Sequence, residues 1–578
     1  MSADLVITGR IATLEGAQGF GWVEAIAVRD GRITSAGSRA AVERLAGRAA
    51  RRWRLDPGQA VLPALTDSHL HLATAAIAAQ ELSLDDAPDR EAIFAAIRSA
   101  HERLAAKDDA GAWLLGHGWS LDRLGDWPTA QDLDSLAPGR PSALWSHDHH
   151  SRWVSSAALA RAGIEEGTPE PQGGMIRRDA DGRPSGILHE HAAKLVSVAI
   201  PEPDRERLAA ALSSYAGELA RLGIVAVHDP GEMSDDPEIR RGPTLYRSLA
   251  EDGALALRVA ASIRPEQLAP AIDRGFRSGP TDAAPGFSSG SRPGGGVDHA
   301  DPVATRLAER YRGGWLKLFA DGSLGSRSAA LLEPYEPGSG APVGGPAGML
   351  LAPPEWLRDR AQRAVRAGIA VQIHGIGDAA VRSALDILEQ LPSPADGIHH
   401  RVEHAQLVHP ADVARFGAAG IVASVQPVHL VGDAPVARTA WGDRIRWSFP
   451  IHSLAAGGAL IAFGTDAPVE SPDPWPGIAI AVTRASATWA AGESAIYASE
   501  SIDLARAIRA ACLDPALTAG EADRGRLVSG HRADLVVVPA EMLDDDAVAA
   551  GALDRARPLA TLLDGEVVYR DARFDPGD

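Results

Sequence analysis

The chain has 578 residues, of which 45% are hydrophobic and 23% charged, and its formal net charge is −19. This is the composition of an ordinary globular protein, long enough for one large domain with a satellite or for two to four domains. It has no basic arm and no Arg-rich stripe interleaved with aromatics, which argues against a nucleic-acid partner, and no run of ~18 apolar residues, which argues against a membrane span.

The single cysteine, Cys512, excludes an internal disulfide. The N-terminal stretch MSADLVITGRIATLEG lacks a charged segment followed by an apolar one, so no signal peptide is expected and the default location is cytoplasmic. In chain order, DLVITGRIATL, EAIAVRDGRITSAG and RRWRLDP are short β-type runs with a turn at Asp30-Gly31. ADLVVVPAE and ATLLDGEVVYRDARF near the other end read the same way, with a turn at Asp564-Gly565. A small composite β-sandwich built from both chain ends, residues 1–60 and 516–578, accounts for this.

Between the ends, eight apolar strand candidates alternate with amphipathic helices. They are VLPALTDSHLH from Val61, IVAVHD from Ile224, LALRVAAS from Leu255, WLKLFAD from Trp315, IAVQIHG from Ile369, HHRVEHAQ from His399, IVASVQP from Ile421 and LIAFGTDAP from Leu460. Apolar strands alternating with helices indicate a helix-covered parallel sheet, and eight repeats fit an α/β (β/α)8 TIM-like barrel over residues 61–72 and 204–515. An open doubly wound sheet competes, but no Gly-x-Gly-x-x-Gly follows a first strand. Residues 73–203, with GAWLLGHGWSLDRLGDWP and SALWSHDHHSRWV, are too long and apolar for a βα loop and read as an inserted lid-like subdomain after strand one. The Gly/Pro/Ser-rich stretch near 278–302 reads as an insertion on the face away from chemistry.

The strand ends carry the chemistry. Strand one ends in Asp67-Ser-His69-Leu-His71, strand four holds Lys317, strand five ends in His374, strand six in Glu403-His404, and strand eight in Thr465-Asp466. Barrel enzymes collect reactive groups at the carboxyl ends of their strands, and residues two apart on a strand face the same side. Imidazoles and carboxylates so placed suit a divalent metal such as Zn²⁺. Lys317 stands out because the chain has only three lysines, Lys107, Lys194 and Lys317, and only the last lies in an apolar run.

The combination resembles the amidohydrolase superfamily, and most closely its YtcJ-like branch, amidohydrolase family 3. The resemblance runs through VLPALTDSHLHL, LWSHDHHSRWVSSAAL, KLFADGSLGSRSAAL, IHGIGDAAV, RVEHAQ, SVQPVHL, FGTDAPVESPDP and GRLVSGHRADLVVV. It implies one or two divalent metal ions, foremost Zn²⁺, held by His69, His71, Lys317, His374, His404 and Asp466. It also implies that CO2 can carboxylate Lys317 to N6-carboxylysine; a snorkelling lysine or an ion pair with Asp321 is the competing reading. Ala64-Leu65, Gly375 and Thr465 depart from commoner family residues without removing a ligand.

The activity so implied is hydrolysis of a C–N amide-type bond in a small molecule, an N-acyl or N-formyl amine, by metal-activated water. Asp466 is the expected proton shuttle, with His150 and His429 polarising or orienting the carbonyl and Trp119, Arg327 and Gln426 binding substrate. Asp229 and Asp378 read as organisers of the loops after strands two and five. The alternatives are a deaminase or cyclic-amide hydrolase on the same metal site, or a non-catalytic binding protein on this scaffold. Partners are a small-molecule substrate and, by resemblance, a second copy in a homodimer.

Overall fold

The computed structural model describes residues 3–577 apart from 46, 48–49, 107–110, 148–150, 172–173, 232–240, 281–301, 339–341, 343, 395–396, 487–496 and 556. His150 and residues 281–301 of the expected Gly/Pro/Ser-rich insertion therefore lie outside the described residues. The chain divides into two units, Met1–Leu72 with Ala216–Asp578, and Ala73–Tyr215.

In the first unit the two chain ends meet in one eight-stranded sheet. Its hairpins are Trp22–Arg29 with Arg32–Gly37 and Ala560–Leu563 with Glu566–Arg570. Asp30-Gly31 (φ 49° and 72°) and Asp564-Gly565 (φ 51° and 76°) make their turns in the left-handed conformation that twists with the strands. Leu535–Pro539 runs antiparallel to Gln59–Pro63 and so joins the C-terminal hairpin to the N-terminal strands. Ile7, Ile26, Trp53, Leu535, Val537 and Phe574 share one core, so the sheet's two arms do the work of the expected sandwich. Val61–Pro63, assigned from sequence to the barrel, belongs to this sheet because its backbone pairs with Leu535–Val537.

All eight expected barrel strands form: Leu65–Asp67, Ile224–Asp229, Arg258–Ile263, Tyr311–Phe319, Ala370–Gly375, Arg401–His404, Val422–Val425 and Ile461–Phe463. Each is parallel to its neighbour in chain order. Hydrogen bonds just past the strand ends join strand eight to strand one: Ser68 N to Phe463 O at 2.9 Å, Asp466 N to His69 O at 2.7 Å, and His71 N to Ala467 O at 2.9 Å. Gly464 permits this closure, because a Cβ there would stand 2.6 Å from His69 N. Helices cover the strands by apolar stripes. Pro354–Arg366 starts on a proline and buries Leu357, Ala361 and Ala364, a spacing that keeps one helical face on the barrel.

The second unit is built on a six-stranded sheet, Gly174–Arg178, Pro184–Glu190, Ser151–Val154, Ser142–Ser146, Leu114–Trp119 and Leu82–Ser83 in spatial order. One apolar cluster includes Ile93, Ile97, Leu133, Trp119 and Trp153, and another includes Ala143, Leu188, Ala192 and Val196. No described helix is long and apolar enough to cross a membrane.

Candidate metal centre

Strand register sets the level of each group. Phe319 lies opposite His374, His374 opposite Glu403 and Gly375 opposite His404, so strands four to six end together. Lys317 lies opposite Gln372, two residues deeper, where only a long side chain reaches toward the mouth. Lys317 is 1% exposed, and its Nζ stands 5.1 Å from the Phe319 ring centre.

His69, His71, His404 and Asp466 converge at the mouth. Ligand atoms of His69, His404 and Asp466 lie within 4.8 Å of one another. Asp466 Oδ1 is 3.4 Å from His69 Nε2 and 3.5 Å from His71 Nε2, and Oδ2 is 3.8 Å from His429 Nε2. His374 packs against His404 with ring centres 4.5 Å apart.

The remaining imidazole nitrogens fix the tautomers. His69 Nδ1 donates to Glu403 Oε2 at 2.5 Å and His71 Nδ1 to the Gly231 carbonyl at 3.0 Å. His404 Nδ1 donates to Gln426 Oε1 at 2.8 Å. Each of these three rings then presents a bare Nε2. His374 is reversed: its Nε2 donates to the Gly322 carbonyl at 3.1 Å, which leaves Nδ1 bare. Burial holds His69 down at about 4, His374 at about 3 and His404 well below its ordinary value, so these rings are neutral near pH 7.

Bare nitrogens therefore face a carboxylate oxygen at 3.4–3.5 Å, acceptor against acceptor. That arrangement suits a divalent cation among them.

The groups behind this cluster are closely bonded as well. Arg401 and Glu403, both fully buried, form an ion pair at 2.9 Å, and Arg401 Nη2 also donates to Ser68 O at 2.6 Å and Ser424 Oγ at 2.7 Å. Burial alone would push Glu403 up, but Arg401 and His69 hold it well below the usual carboxylate range. Asp67 accepts from Thr465 Oγ1 at 2.6 Å, Thr465 N at 3.1 Å and His69 N at 3.1 Å, which ties the ends of strands one and eight together. Asp466 at φ 62° and His404 at φ 69° hold the left-handed conformation that non-glycine residues avoid, as positions constrained by their surroundings can. Burial lowers the Lys317 amine to about 7, with Glu403 opposing and Arg264 adding to the shift.

Several expected residues have other roles. Gln426 is fully buried and orients His404 by accepting from its Nδ1. Trp119 is a core residue of the second unit, 1% exposed, with its indole N–H on Leu144 O at 2.9 Å. Arg327 lies in the loop after strand four and donates to Leu324 O at 2.9 Å. Asp321 does not pair with Lys317: its carboxylate caps the backbone N–H groups of Ala330, Ile376 and Gly377 at 2.8–3.1 Å. Asp229 accepts from Gly231 N at 2.7 Å and Tyr246 Oη at 2.5 Å, and Asp378 from Leu332 N at 2.9 Å, both as loop organisers. Arg401 and Arg264 were missed from sequence. Arg-x-Glu-His at a strand end was the available signal for the first, since alternate strand positions share a face.

Residues 57–569 match the model of the amidohydrolase family. The chain is 28% identical to YtcJ of Bacillus subtilis (strain 168), covering 94% of this chain and 96% of that protein. It is 26% identical to N-substituted formamide deformylase of Arthrobacter pascens, with 98% of each chain covered. Among solved structures, an uncharacterized metal-dependent hydrolase from Pyrococcus furiosus superposes with a TM-score of 0.71 at 25% identity, covering 93% of this chain and 100% of that one.

Proposed function

The chain belongs to the amidohydrolase family of metal-dependent hydrolases, and we propose that it cleaves an amide-type C–N bond in a small molecule, an N-acyl or N-formyl amine. The observation that carries this reading is the set of bare imidazole nitrogens turned on the Asp466 carboxylate. The likeness to a formamide deformylase over nearly the whole chain supports the amide class.

His69, His71, His404 and Asp466, with His374 through Nδ1 and Lys317, would hold one or two divalent ions, Zn²⁺ first by the nitrogen-rich donor set. A divalent ion there supplies Lewis acidity, lowering the pKa of a water and polarising a carbonyl.

Asp466 is the proton carrier. Its carboxylate takes the proton of the water that adds to the carbonyl carbon and returns it to the nitrogen as the C–N bond breaks, giving an acid and a free amine. His429 Nε2, 3.8 Å from Asp466 Oδ2, is placed to hold the carbonyl oxygen or the leaving group. Glu403 and Gln426 keep His69 and His404 in the tautomers this requires. The neutral Lys317 amine, which burial makes accessible near pH 7, is the form that adds to CO2. A C–N bond forms, one proton leaves, and the side chain gains a carboxylate at the depth of the metal site.

Two measurements test this. Metal per chain by mass spectrometry, with bicarbonate present, is expected near two ions in the wild type and one or none in Lys317→Ala. An unchanged single ion would remove the carboxylated lysine, and no ion after reconstitution would remove the hydrolase. Incubation with N-formyl amines is expected to release the amine and formate; ammonia release or ring opening on other substrates would move the protein to another amidohydrolase reaction.

A further inference from the structure

The helix His429–Trp441 follows strand seven and packs on the loops after strands four, five and six through Leu324, Ile376 and Leu407. Leu430, Ala434, Ala437 and Trp441 form its buried stripe. His429 and Asp433 stand one turn apart on the flank of that stripe, and both are half-buried.

This flank borders the ligand cluster. His429 Nε2 is 3.8 Å from Asp466 Oδ2, and the His429 ring stacks on His404 with centres 6.2 Å apart. Asp433 is tied to the same rim. Its Oδ2 accepts from Gln406 Nε2 at 2.6 Å, and Gln406, two residues past His404, is buried. The Gln406 carbonyl accepts from Phe449 N at 2.6 Å, which fixes the backbone from which this amide reaches.

The second carboxylate oxygen is left over. Asp433 Oδ1 has no hydrogen-bond partner among the described residues, and no arginine or lysine among them pairs with Asp433. Other carboxylates of this unit are provided for. Glu403 has Arg401, and Glu521 has Arg524. Asp67 and Asp321 have no such cation, but each accepts from three N–H or O–H groups. Asp433 accepts from one. Burial pushes its carboxyl up, opposed by His429 and the Gln406 amide. A half-buried carboxylate with one open oxygen, beside a reaction site, suits a cation that arrives with the substrate.

We propose that Asp433 is a specificity-determining residue that accepts from a protonated second nitrogen of the substrate, so that the substrate class is a mono-N-acylated diamine. This rests on the amide-hydrolase reading. His429 meets the scissile group, and Asp433 stands one helical turn farther on, ~5–6 Å away at Cβ, a span of about four or five bonds. A formyl or short acyl group cannot cover that span, so the cation belongs to the amine part. A terminal alkylamine has a pKa of about 10, so it is charged at pH 7 and donates to Oδ1.

The test compares mono-N-formylated terminal diamines of three to five carbons with the neutral N-formyl alkylamines of equal length, on the metal-loaded full chain. The best diamine is expected to have a kcat/KM ~10–100-fold above its neutral isostere, the value of one charge-assisted hydrogen bond. Asp433→Asn should bring that ratio close to one, and Asp433→Glu should restore part of it. A residue that only holds Gln406 would lower both substrates alike and leave the ratio unchanged. That result, or a wild-type ratio of one or less, would overturn the proposal and leave the amide hydrolase standing. If neither substrate is cleaved, the amide reading fails by itself, and calorimetry with the free diamines still decides the role of Asp433. The wild type should bind a diamine at least ~10-fold tighter than the matching alkylamine and Asp433→Asn should not; equal binding of the two by the wild type would overturn the proposal.

Discussion

Single residues of the candidate metal centre carry measurable stability costs. Lys317 is the plainest case, an amine 1% exposed in an apolar strand. Its folded pKa, about 7, lies below the 10.5 of a free lysine, so the folded state binds fewer protons than the unfolded state between those values. The amine therefore costs most stability below pH 7, and the cost fades as pH rises toward 10.5. Lys317→Met should melt higher than wild type at pH 6 when both are free of metal and bicarbonate, with the gap closing by pH 10; calorimetry across that range reads it. Glu403 carries the opposite lesson, because two buried groups depend on it. Glu403→Gln keeps the shape but loses the charge that holds His69 and Arg401, and should weaken metal retention about 10–100-fold in competition with a chromophoric chelator. Glu403→Ala should cost stability as well, about 3–5 kcal/mol by denaturant unfolding, because it strands the buried Arg401.

Between elements, the joints decide more than the elements themselves. The strand-one and strand-eight joint brings His69 and Asp466 together, and Gly464 makes room for it. Gly464→Ala should destabilise the fold by ~2 kcal/mol or more and reduce bound metal, measured on the same samples, since the new methyl would meet His69 backbone rather than a flexible tip. The joint between the terminal sheet and the barrel is ionic. Burial would raise Glu521, but Arg524 and Arg312 hold it at about 2 against an ordinary 4.5. Its contribution is complete above about pH 4.5 and is lost as pH falls toward 2. Glu521→Gln should lower stability at pH 7 and flatten the loss of stability between pH 4.5 and 2 in acid titrations followed by circular dichroism.

In the whole molecule, the composite sheet makes the two chain ends one cooperative structure. Gln59–Pro63 needs Leu535–Pro539 as its neighbour, so a chain cut before residue 530 should lose the terminal sheet and express as insoluble protein. Residues 73–215 have their own sheet and two apolar clusters, so that segment expressed alone should melt cooperatively. Much of this was readable from the amino-acid order. The eight barrel strands, the two Asp-Gly hairpins and the placing of His69, His71, His404 and Asp466 at strand ends follow from short-range rules: apolar runs, turn chemistry and two-residue spacing. Where the first strand leaves the terminal sheet for the barrel was not readable, because Val61–Pro63 looks like any apolar strand until Leu535–Val537 pairs with it. Nor were the parts played by Gln426 and Trp119, since a polar or aromatic side chain announces its chemistry but not its neighbour. The sequence by itself determined which elements form and which groups can bind a metal, because those depend on neighbours along the chain. Tertiary structure alone decided which nitrogen of each of these histidines is bare and which strand ends meet. Those depend on hydrogen bonds between residues far apart in the chain, such as His69 with Glu403 and Thr465 with Asp67, whose geometry exists only after the barrel closes.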